Sequence, residues 1–289
     1  MSKNIDLLAA HEDLFRCPIC AGKMKLMHEK SLICTNRHCF DLAKQGYVNL
    51  LSRAVQTKYG RRMFASRRLM CRRGFFDPLY TKISKLILNQ AESRRETIKI
   101  LDTGCGEGSL LAKIQEKITQ SSEIDHLGVG LDISKEGIVM AAQEYADKIW
   151  CVGDLARAPF AGQQFHVLLN ILAPANYAEF ERMLSRDGQV IKVIPEKGYL
   201  QELRDVFYEQ CDREPDSSGN TQALFKSRFK LLDMERVQYR VALDHTRMEP
   251  LVHMTPLAWG ATEERLVKAL QANLRDVTID LTILLGKKD

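Results

Sequence analysis

Apolar and polar positions in the middle of the chain follow two periods that alternate with one another. Short apolar runs predict buried strands, and the segments between them repeat apolar residues at helical spacing. The apolar runs occupy residues 98–102, 127–132, 148–152, 166–172 and 189–194, and the helical segments occupy 109–118, 135–146, 177–184 and 200–208. Regular alternation of strand and helix is typical of a parallel sheet with helices on both faces. The pattern therefore predicts an α/β fold.

The segments on either side of this alternation have different patterns. Residues 53–95 look helical, with apolar side chains that recur at a spacing of seven, and Asp77-Pro78 marks a helix start. Residues 229–243 and 277–286 alternate in the manner of antiparallel strands. A doubly wound sheet that ends in an antiparallel pair is the pattern of the class I (Rossmann-like) methyltransferase fold. We predict this fold, with a separate module at the N-terminus.

Composition narrows the class of protein. Hydrophobic residues make up 45% and charged residues 27% of the 289 residues, which are the proportions of a soluble globular enzyme. The chain contains no run of about 18 apolar residues, which argues against a membrane span. Residues 1–14 show no apolar stretch followed by a cleavage site, so we expect no secretion signal and a cytoplasmic protein.

Four of the eight cysteines fall close together near the N-terminus. The order Cys17, Cys20, Cys34 and then His38 is a strong zinc pattern, because two close pairs of soft ligands can close a tetrahedron. Cys39 competes with His38 for the fourth position, and we favour His38 because it can reach back across a turn. Since four protein ligands are at hand, the site is predicted to be structural.

A strongly basic window follows the cysteines. Residues 42–76 contain nine lysines and arginines and no acidic residue, whereas the whole chain has a formal net charge of +5. The rest of the chain therefore carries a net charge of −4. A basic segment on a mildly acidic body indicates an anionic partner, and a solvated arginine-rich helix face is the alternative. We expect nucleic acid, with Arg67 and Arg68 on the RNA backbone.

A glycine-rich loop lies between the first predicted strand and the helix after it. Gly104 and Gly106 leave room for a ligand close to the backbone, in a G-x-G-x-G spacing that differs from the usual dinucleotide fingerprint. Asp102 precedes the loop, and Glu107 lies within it. Carboxylates there would repel a pyrophosphate but suit a sulfonium and an amino group. The loop therefore favours S-adenosylmethionine over NAD; a tight turn without a ligand is the alternative.

Further candidate residues lie at the ends of the next predicted strands. Asp132, at the end of the second strand, can hold the two ribose hydroxyls. Asp154 and Leu155 follow the third strand and can flank an adenine ring with a carboxylate and a backbone N–H. Asn170 is the candidate catalytic residue, because it lies at the end of the fourth strand and could bond the edge of a guanine; a strand-end structural role is the alternative. The candidate walls beside it are Leu172, Ala173 and Pro174.

These motifs together resemble those of the RlmA family, the 23S rRNA guanine-N1 methyltransferases. The zinc pattern that runs into FDLAKQGYVNL is far more specific than the glycine loop. Two segments, VGDLAR and APANY, look closer to the Gram-positive, tylosin-resistance (TlrB-like) branch than to the enterobacterial one. The matching segments are the zinc pattern, FDLAKQGYVNL at 40–50, LDTGCGEG at 101–108, LDISK at 131–135, VGDLAR at 152–157, APANY at 173–177 and MTP at 254–256.

The resemblance implies an activity, partners and further site residues. It implies methylation of guanine N1 in the hairpin 35 loop of 23S rRNA, near the macrolide site, by a homodimer whose cleft accepts the hairpin. It also implies cofactor contacts at Phe76, Gly106, Glu107 and Tyr199. One departure from the family is Cys39, where a polar residue is usual. The division expected is a zinc-binding RNA-recognition module at 1–50, a basic helical connector at 51–96 and the methyltransferase domain at 97–289.

Two other functions remain open at this point. A small-molecule methyltransferase could use the zinc module as a lid or a dimer contact, and the basic window argues against it. An RNA-binding protein with a vestigial cofactor site is a non-enzymatic alternative. The intact Asp102, Gly104, Gly106 and Asp132 argue against that interpretation.

Overall fold

A computed structural model of the chain describes residues 3–53, 55–57, 59–91, 96–208, 217–258, 261–272 and 274–288. It contains strands at β1 (Met24–Met27), β2 (Ser31–Cys34), β3 (Cys39–Asp41), β4 (Tyr47–Asn49), β5 (Ile98–Thr103), β6 (His126–Asp132), β7 (Ile149–Val152), β8 (Phe165–Ile171), β9 (Leu184–Pro195), β10 (Lys230–Ala242) and β11 (Asp276–Lys287). Its helices are α1 (Lys3–Ala10), α2 (Arg61–Arg72), α3 (Asp77–Ala91), α4 (Ser109–Ser121), α5 (Lys135–Glu144), α6 (Tyr177–Met183), α7 (Gln201–Phe207), α8 (Ser217–Lys226), α9 (His245–Met254) and α10 (Glu263–Gln271).

The central sheet has the strand order β10-β11-β9-β8-β5-β6-β7-β4. Strands β5 to β9 correspond to the five apolar runs, and every pairing among them is parallel. Strand β11 runs antiparallel between β9 and β10, in a register from Lys230 opposite Lys287 to Ala242 opposite Asp276. The predicted class I methyltransferase fold, with its closing antiparallel pair, is therefore confirmed.

Strand β4 is an addition to the sheet that the apolar pattern did not predict. It pairs in parallel with β7, with Tyr47 opposite Trp150 and Asn49 opposite Val152. The backbone N–H of Leu50 then donates to the carbonyl of Val152 at 2.8 Å. The segment that follows the cysteine cluster is thus part of the central sheet, and the division of the chain at residue 50 stays a prediction.

Each face of the central sheet packs against different elements. On one face, helices that include α3, α4 and α9 bury residues such as Leu79, Leu111 and Leu251. On the other face, Leu101 and Val129 share a core with the N-terminal segment and with α6 and α8. Helices cover both faces as predicted, but the N-terminal segment takes the place of a helix over part of the second face.

The N-terminal segment is a small three-stranded antiparallel sheet, in the order β1-β2-β3, which docks directly on the larger domain. The N–H of Arg16 donates to the carbonyl of Pro159 at 3.1 Å, and the N–H of Ala161 donates to the carbonyl of Leu14 at 2.8 Å. The rings of Phe15 and Phe160 pack with their centroids 5.7 Å apart. Because these contacts are buried and hydrogen-bonded, the small sheet is held firmly against the domain.

The helical pattern predicted for residues 53–95 corresponds to α2 and α3, and α3 begins at Asp77 as the Asp-Pro signal indicated. Residues 54, 58 and 92–95 of that segment lie outside the described residues. In the described part of the chain, no helix combines the length and the apolar character that a bilayer crossing requires.

Candidate functional site

Four predicted metal ligands come together in the small N-terminal sheet. The ligand atoms of Cys17, Cys20, Cys34 and His38 all lie within 4.8 Å of one another. The Nδ1 atom of His38 is 3.5 Å from Sγ of Cys17 and 3.4 Å from Sγ of Cys34. The sulfur atoms of Cys20 and Cys34 are 3.7 Å apart. Sulfur ligands on tetrahedral zinc would lie about 3.8 Å apart, so this donor set fits zinc.

The surroundings of Cys20 favour a metal-binding thiolate. A backbone hydrogen bond at Gly22 lowers the pKa of the Cys20 thiol to about 6. Thiolate is the form of cysteine that binds a metal. Cys39, the competing ligand in the sequence, is exposed and lies outside the cluster, with its thiol 3.7 Å from Oδ1 of Asp41. Since four protein atoms surround the site, a structural metal fits better than a catalytic one.

The glycine loop connects β5 to α4 and lies against bulky neighbours. Gly104 has a φ of 83°, and a Cβ there would lie 2.6 Å from Cβ of Ala173. Gly108 has a φ of 80°, and a Cβ there would lie 2.5 Å from the Trp150 ring. Both positions require glycine for backbone conformation and for space. The loop therefore presents bare backbone, which suits a closely bound ligand.

Asp102 is a buried carboxylate with an unused oxygen. Its side chain is 1% exposed, and Oδ2 has no hydrogen-bond partner among the described residues. Burial raises the pKa of Asp102 to about 7; Arg67 opposes this rise, and Asp132 and Glu107 add to it. A buried acceptor without a donor is costly, and a bound ammonium group would satisfy it. Together with the bare loop, this oxygen fits the amino-acid end of S-adenosylmethionine.

Asp132 and Glu107 both bind the backbone of the loop region. Asp132 accepts hydrogen bonds from the N–H of Gly106 and of Ser134, each at 2.8 Å. Glu107 accepts from the N–H of Ser109 at 2.9 Å and from its hydroxyl at 2.5 Å, which caps α4. Burial raises the pKa of both carboxyls. The two Glu107 bonds fall on one oxygen, Oε2, whereas the two Asp132 bonds fall on different oxygens. Each Asp132 oxygen therefore keeps a further lone pair for a ligand hydroxyl.

The remaining predicted cofactor residues occupy different environments. Phe76 is buried in an aromatic group, with its ring 4.9 Å from that of Phe75 in an edge-on arrangement. Tyr199 follows β9 and is half-buried; burial raises its pKa to about 12, and the Arg67 charge opposes the rise. Asp154 is exposed at the end of β7 and accepts from the N–H of Ala156 at 2.8 Å, and Leu155 is half-buried beside it.

Asn170 uses its whole amide within the protein. The residue is fully buried at the end of β8, and its Nδ2 donates to the carbonyls of Thr103 at 3.1 Å and Pro174 at 3.0 Å. Its Oδ1 accepts from Nζ of Lys192 at 2.5 Å. The sequence left two roles open for Asn170, guanine recognition and a structural role at the end of the strand. These contacts match the structural role. Nearby Leu172 has a φ of 52°, a strained conformation of the kind that clusters at functional sites.

Sequence reasoning missed the role of Arg67. Its Nη2 atom is buried and has no hydrogen-bond partner among the described residues, and Nη1 lies 4.0 Å from the position a Cβ would take at Gly106. Burial opposes the charged form of Arg67, but neighbouring negative charge, that of Glu107 above all, raises its pKa above the usual value. Because its guanidinium faces the glycine loop, the structure does not support the expected contact of Arg67 with the RNA backbone, and that contact stays a prediction.

Other arginines of the basic window also have partners within the chain. Arg68 and Arg72 both pair with Glu144 of α5. Two more arginines contact α9: Arg62 pairs with Glu249 at 2.8 Å, and Arg73 donates to the Thr246 carbonyl at 2.9 Å. Lys58 lies outside the described residues. The free positive charge of α2 is thus smaller than its composition suggests.

Comparison with known proteins finds matches for both the metal cluster and the glycine loop. Residues 15–61 match the family described as "RlmA, N-terminal", and residues 100–192 match a methyltransferase domain family. The chain is 42% identical to YxjB of Bacillus subtilis (strain 168) over 95% of its own length and 97% of that protein. The chain belongs to the RlmA family.

The relatives bear names that describe RlmA-family activity. YxjB is named, provisionally, as a 23S rRNA (guanine-N(1)-)-methyltransferase. A Streptomyces fradiae protein, 28% identical over 92% of this chain and 94% of its own length, is named 23S rRNA (guanine(748)-N(1))-methyltransferase. Among solved structures, the YcgJ protein of Bacillus subtilis covers 71% of this chain and 98% of its own, at 18% identity and a TM-score of 0.47.

Proposed function

We propose that this RlmA-family protein transfers a methyl group from S-adenosylmethionine to N1 of a guanine in 23S rRNA. The observation that carries the proposal is the match to YxjB, which extends over 95% of the chain and so includes both the metal cluster and the glycine loop. The unpartnered Asp102 oxygen beside that loop supports the choice of cofactor.

The chemistry divides between cofactor and protein. S-adenosylmethionine supplies an electrophilic methyl group on a sulfonium. The chain's own residues would align it: Asp102 and the glycine loop at the methionine end, and Asp132 at the ribose. Leu172 and Ala173, after β8, would wall the acceptor pocket and exclude water from it. Alignment and desolvation of this kind account for a large share of enzymatic rate enhancement.

The acceptor atom constrains the form of the RNA substrate. Guanine N1 lies on the base-pairing edge and bears a proton that must leave during the reaction. The base must therefore be unpaired or flipped out, and a hairpin loop offers such a base at little cost. The Streptomyces relative is named for position 748, and we extend the proposal to the hairpin 35 loop of 23S rRNA. We further propose that the enzyme is a homodimer. It would act in the cytoplasm, on RNA near the macrolide site.

The RNA contact is assigned to basic residues that remain exposed. Lys44, Arg53 and Arg61 have exposed side chains, whereas Arg68 is half-buried and paired. Replacing Arg53 and Arg61 with glutamine should weaken RNA binding and reduce the slope of log K against log salt by about 1 for each phosphate that the protein no longer neutralises. Arg68→Gln is the matched control. An unchanged slope in the double variant would move the RNA contact elsewhere.

The deciding experiment is mass mapping of 23S rRNA. Unmodified rRNA is incubated with the protein and S-adenosylmethionine, digested and examined for one added methyl group on a guanine. Because methylation at N1 blocks base pairing, reverse transcription should stop at the same nucleotide. Asp132→Ala is the control expected to lose the signal. Methylation of small molecules with none on rRNA would favour a small-molecule methyltransferase instead.

A further inference from the structure

Helix α2 covers the glycine loop of the methyltransferase domain. A Cβ at Gly106 would lie 3.1 Å from the ring of Phe64, and one at Gly137 of α5 would lie 3.0 Å from the same ring. Phe64 is buried, so its ring fills the space between the loop and α5. The basic connector helix is therefore one wall of the cofactor region, although it precedes the methyltransferase domain in the sequence.

Arg67 lies one turn after Phe64 on the same side of this helix. Its Nη2 atom is buried without a hydrogen-bond partner, and among the described residues no carboxylate oxygen lies within 4.0 Å of its guanidinium as an ion pair. A buried guanidinium N–H without an acceptor is unfavourable, because the protein does not replace its lost hydrogen bond to water. The charge of Glu107 raises the pKa of Arg67 but supplies no acceptor within hydrogen-bond distance of Nη2. The geometry indicates a binding site for an anion that is not part of the chain.

The chemistry of the cofactor identifies that anion. S-adenosylmethionine and its product S-adenosylhomocysteine each carry one anionic group, the carboxylate of the amino-acid end. A guanidinium matches a carboxylate through two parallel hydrogen bonds. Asp102, whose Oδ2 atom is also buried and unpartnered, offers the complementary charge for the neighbouring ammonium group. The guanidinium of Arg67 and the free oxygen of Asp102 are thus complementary to the carboxylate and the ammonium group at the amino-acid end of the cofactor.

We propose that Arg67 binds the carboxylate of the methionine group of the cofactor, so that helix α2 is part of the cofactor site. The proposal rests on S-adenosylmethionine being the cofactor. The competing explanation is that Arg67 serves only as an internal counter-charge for Glu107, Asp102 and Asp132, whose pKa values its charge lowers. In that case its loss would weaken every ligand of the site alike.

The test is a cycle of protein and ligand changes followed by isothermal titration calorimetry. The ligands are S-adenosylhomocysteine and S-adenosyl-3-thiopropylamine, which retains the ammonium group and lacks only the carboxylate. The proteins are the wild type, Arg67→Met, Arg67→Lys and the control Arg68→Met. We expect Arg67→Met to weaken the binding of S-adenosylhomocysteine about 30-fold or more. The affinity for the decarboxylated ligand should change less than about threefold.

The conservative variant and the control sharpen this result. Arg67→Lys keeps the charge but loses the two-pronged geometry, so an intermediate loss for S-adenosylhomocysteine is expected. Arg68→Met should bind both ligands as the wild type does. Equal weakening of both ligands by Arg67→Met, or no weakening of either, would overturn the proposal. A wild-type protein that binds neither ligand would overturn the choice of cofactor, whereas wild-type binding with an unaffected Arg67→Met variant would overturn this proposal alone.

Discussion

The ammonium group of Lys192 donates a 2.5 Å hydrogen bond to the side-chain oxygen of Asn170, and both side chains are buried. Lys192 also donates to the carbonyl of Ala173 at 3.2 Å, and Asn170 donates to the carbonyl of Pro174 at 3.0 Å. The pair therefore connects the ends of two neighbouring strands, β8 and β9, to the loop that would wall the acceptor pocket. Burial lowers the pKa of Lys192 to about 8, so its charge depends closely on this partner.

Replacing Asn170 should destabilise the whole protein. Asn170→Ala leaves the Lys192 ammonium without its side-chain acceptor, and a buried charge that loses a partner costs about 3 kcal/mol. We expect the free energy of unfolding, measured by urea denaturation at pH 7, to fall by about that amount. Lys192→Met is the companion variant, and the double variant should lose less than the sum of the two single losses.

Guanine recognition by Asn170 would give a different outcome. If Asn170→Ala retained the wild-type stability and lost only rRNA methylation, Asn170 would act on the substrate rather than on the loop. The stability and activity measurements therefore separate the two roles that the sequence left open.

Replacing Asp102 should stabilise the protein at high pH while weakening cofactor binding. Burial raises the pKa of Asp102 from 3.8 to about 7, so the folded state disfavours the charged form, and stability is lost as the pH rises between these values. At pH 8, Asp102→Asn should raise the free energy of unfolding by up to about 4 kcal/mol. The gain should shrink towards pH 5, where the wild-type residue is already neutral in the fold.

Thermal unfolding at pH 8 and pH 5, together with titration of S-adenosylhomocysteine, checks this prediction. Asparagine cannot offer a negative charge to the ammonium group of the ligand, so affinity should fall at pH 8. A gain in stability that is equal at both pH values would show that the effect is not electrostatic.

A single methyl group at Gly104 should disturb both the loop and its neighbour. The new Cβ would lie 2.6 Å from Cβ of Ala173, at a φ of 83° that side chains rarely adopt. We expect Gly104→Ala to lower the thermal midpoint and to abolish cofactor binding. Adding Ala173→Gly should remove the steric part and leave a residual cost of about 1–2 kcal/mol from the backbone conformation. No rescue by Ala173→Gly would contradict the contact.

Removing the metal should destabilise the methyltransferase domain as well as the small sheet. Cys17, Cys34 and Leu32 share one apolar core with Leu101 and Val129 of the central sheet. We therefore expect Cys34→Ser to lose zinc and to lower the free energy of unfolding by more than about 3 kcal/mol in a single calorimetric transition.

Cys39→Ser is the control, and it should keep one zinc per chain by elemental analysis, because Cys39 lies outside the cluster. Two separate transitions in Cys34→Ser, with the second at the wild-type temperature, would show that the small sheet unfolds on its own.

The sequence predicted most of the central sheet because strands buried on both faces form continuous apolar runs. It also predicted that Cys17, Cys20, Cys34 and His38 would meet, because their spacing is itself the signal. Strand β4 was missed because three residues are too few to show a period, and its partner β7 lies about a hundred residues away. Pairings at such separation depend on tertiary packing, which local patterns do not describe.

Arg67 shows a different limit of sequence reasoning. The basic composition of the window around Arg67 indicated a surface charge. Arg67 nevertheless lies three residues after Phe64 and four before Cys71, both of which are buried. That spacing places Arg67 on the packed side of α2, and it was the signal that could have revealed the residue's position. The period indicates which face is covered, but it does not indicate that a ligand site lies beneath it.

The position of β4 also bears on how copies of this protein avoid one another. Without it, the four buried residues of β7, from Ile149 to Val152, would line an open sheet edge. Such apolar edges recruit strands from other molecules, whereas a three-residue strand offers little to pair with. The segment that follows the cysteines thus shields this edge. A chain shortened to residues 97–289 would lose both the shield and the core that the small sheet shares with Leu101 and Val129, so it should aggregate and unfold more readily.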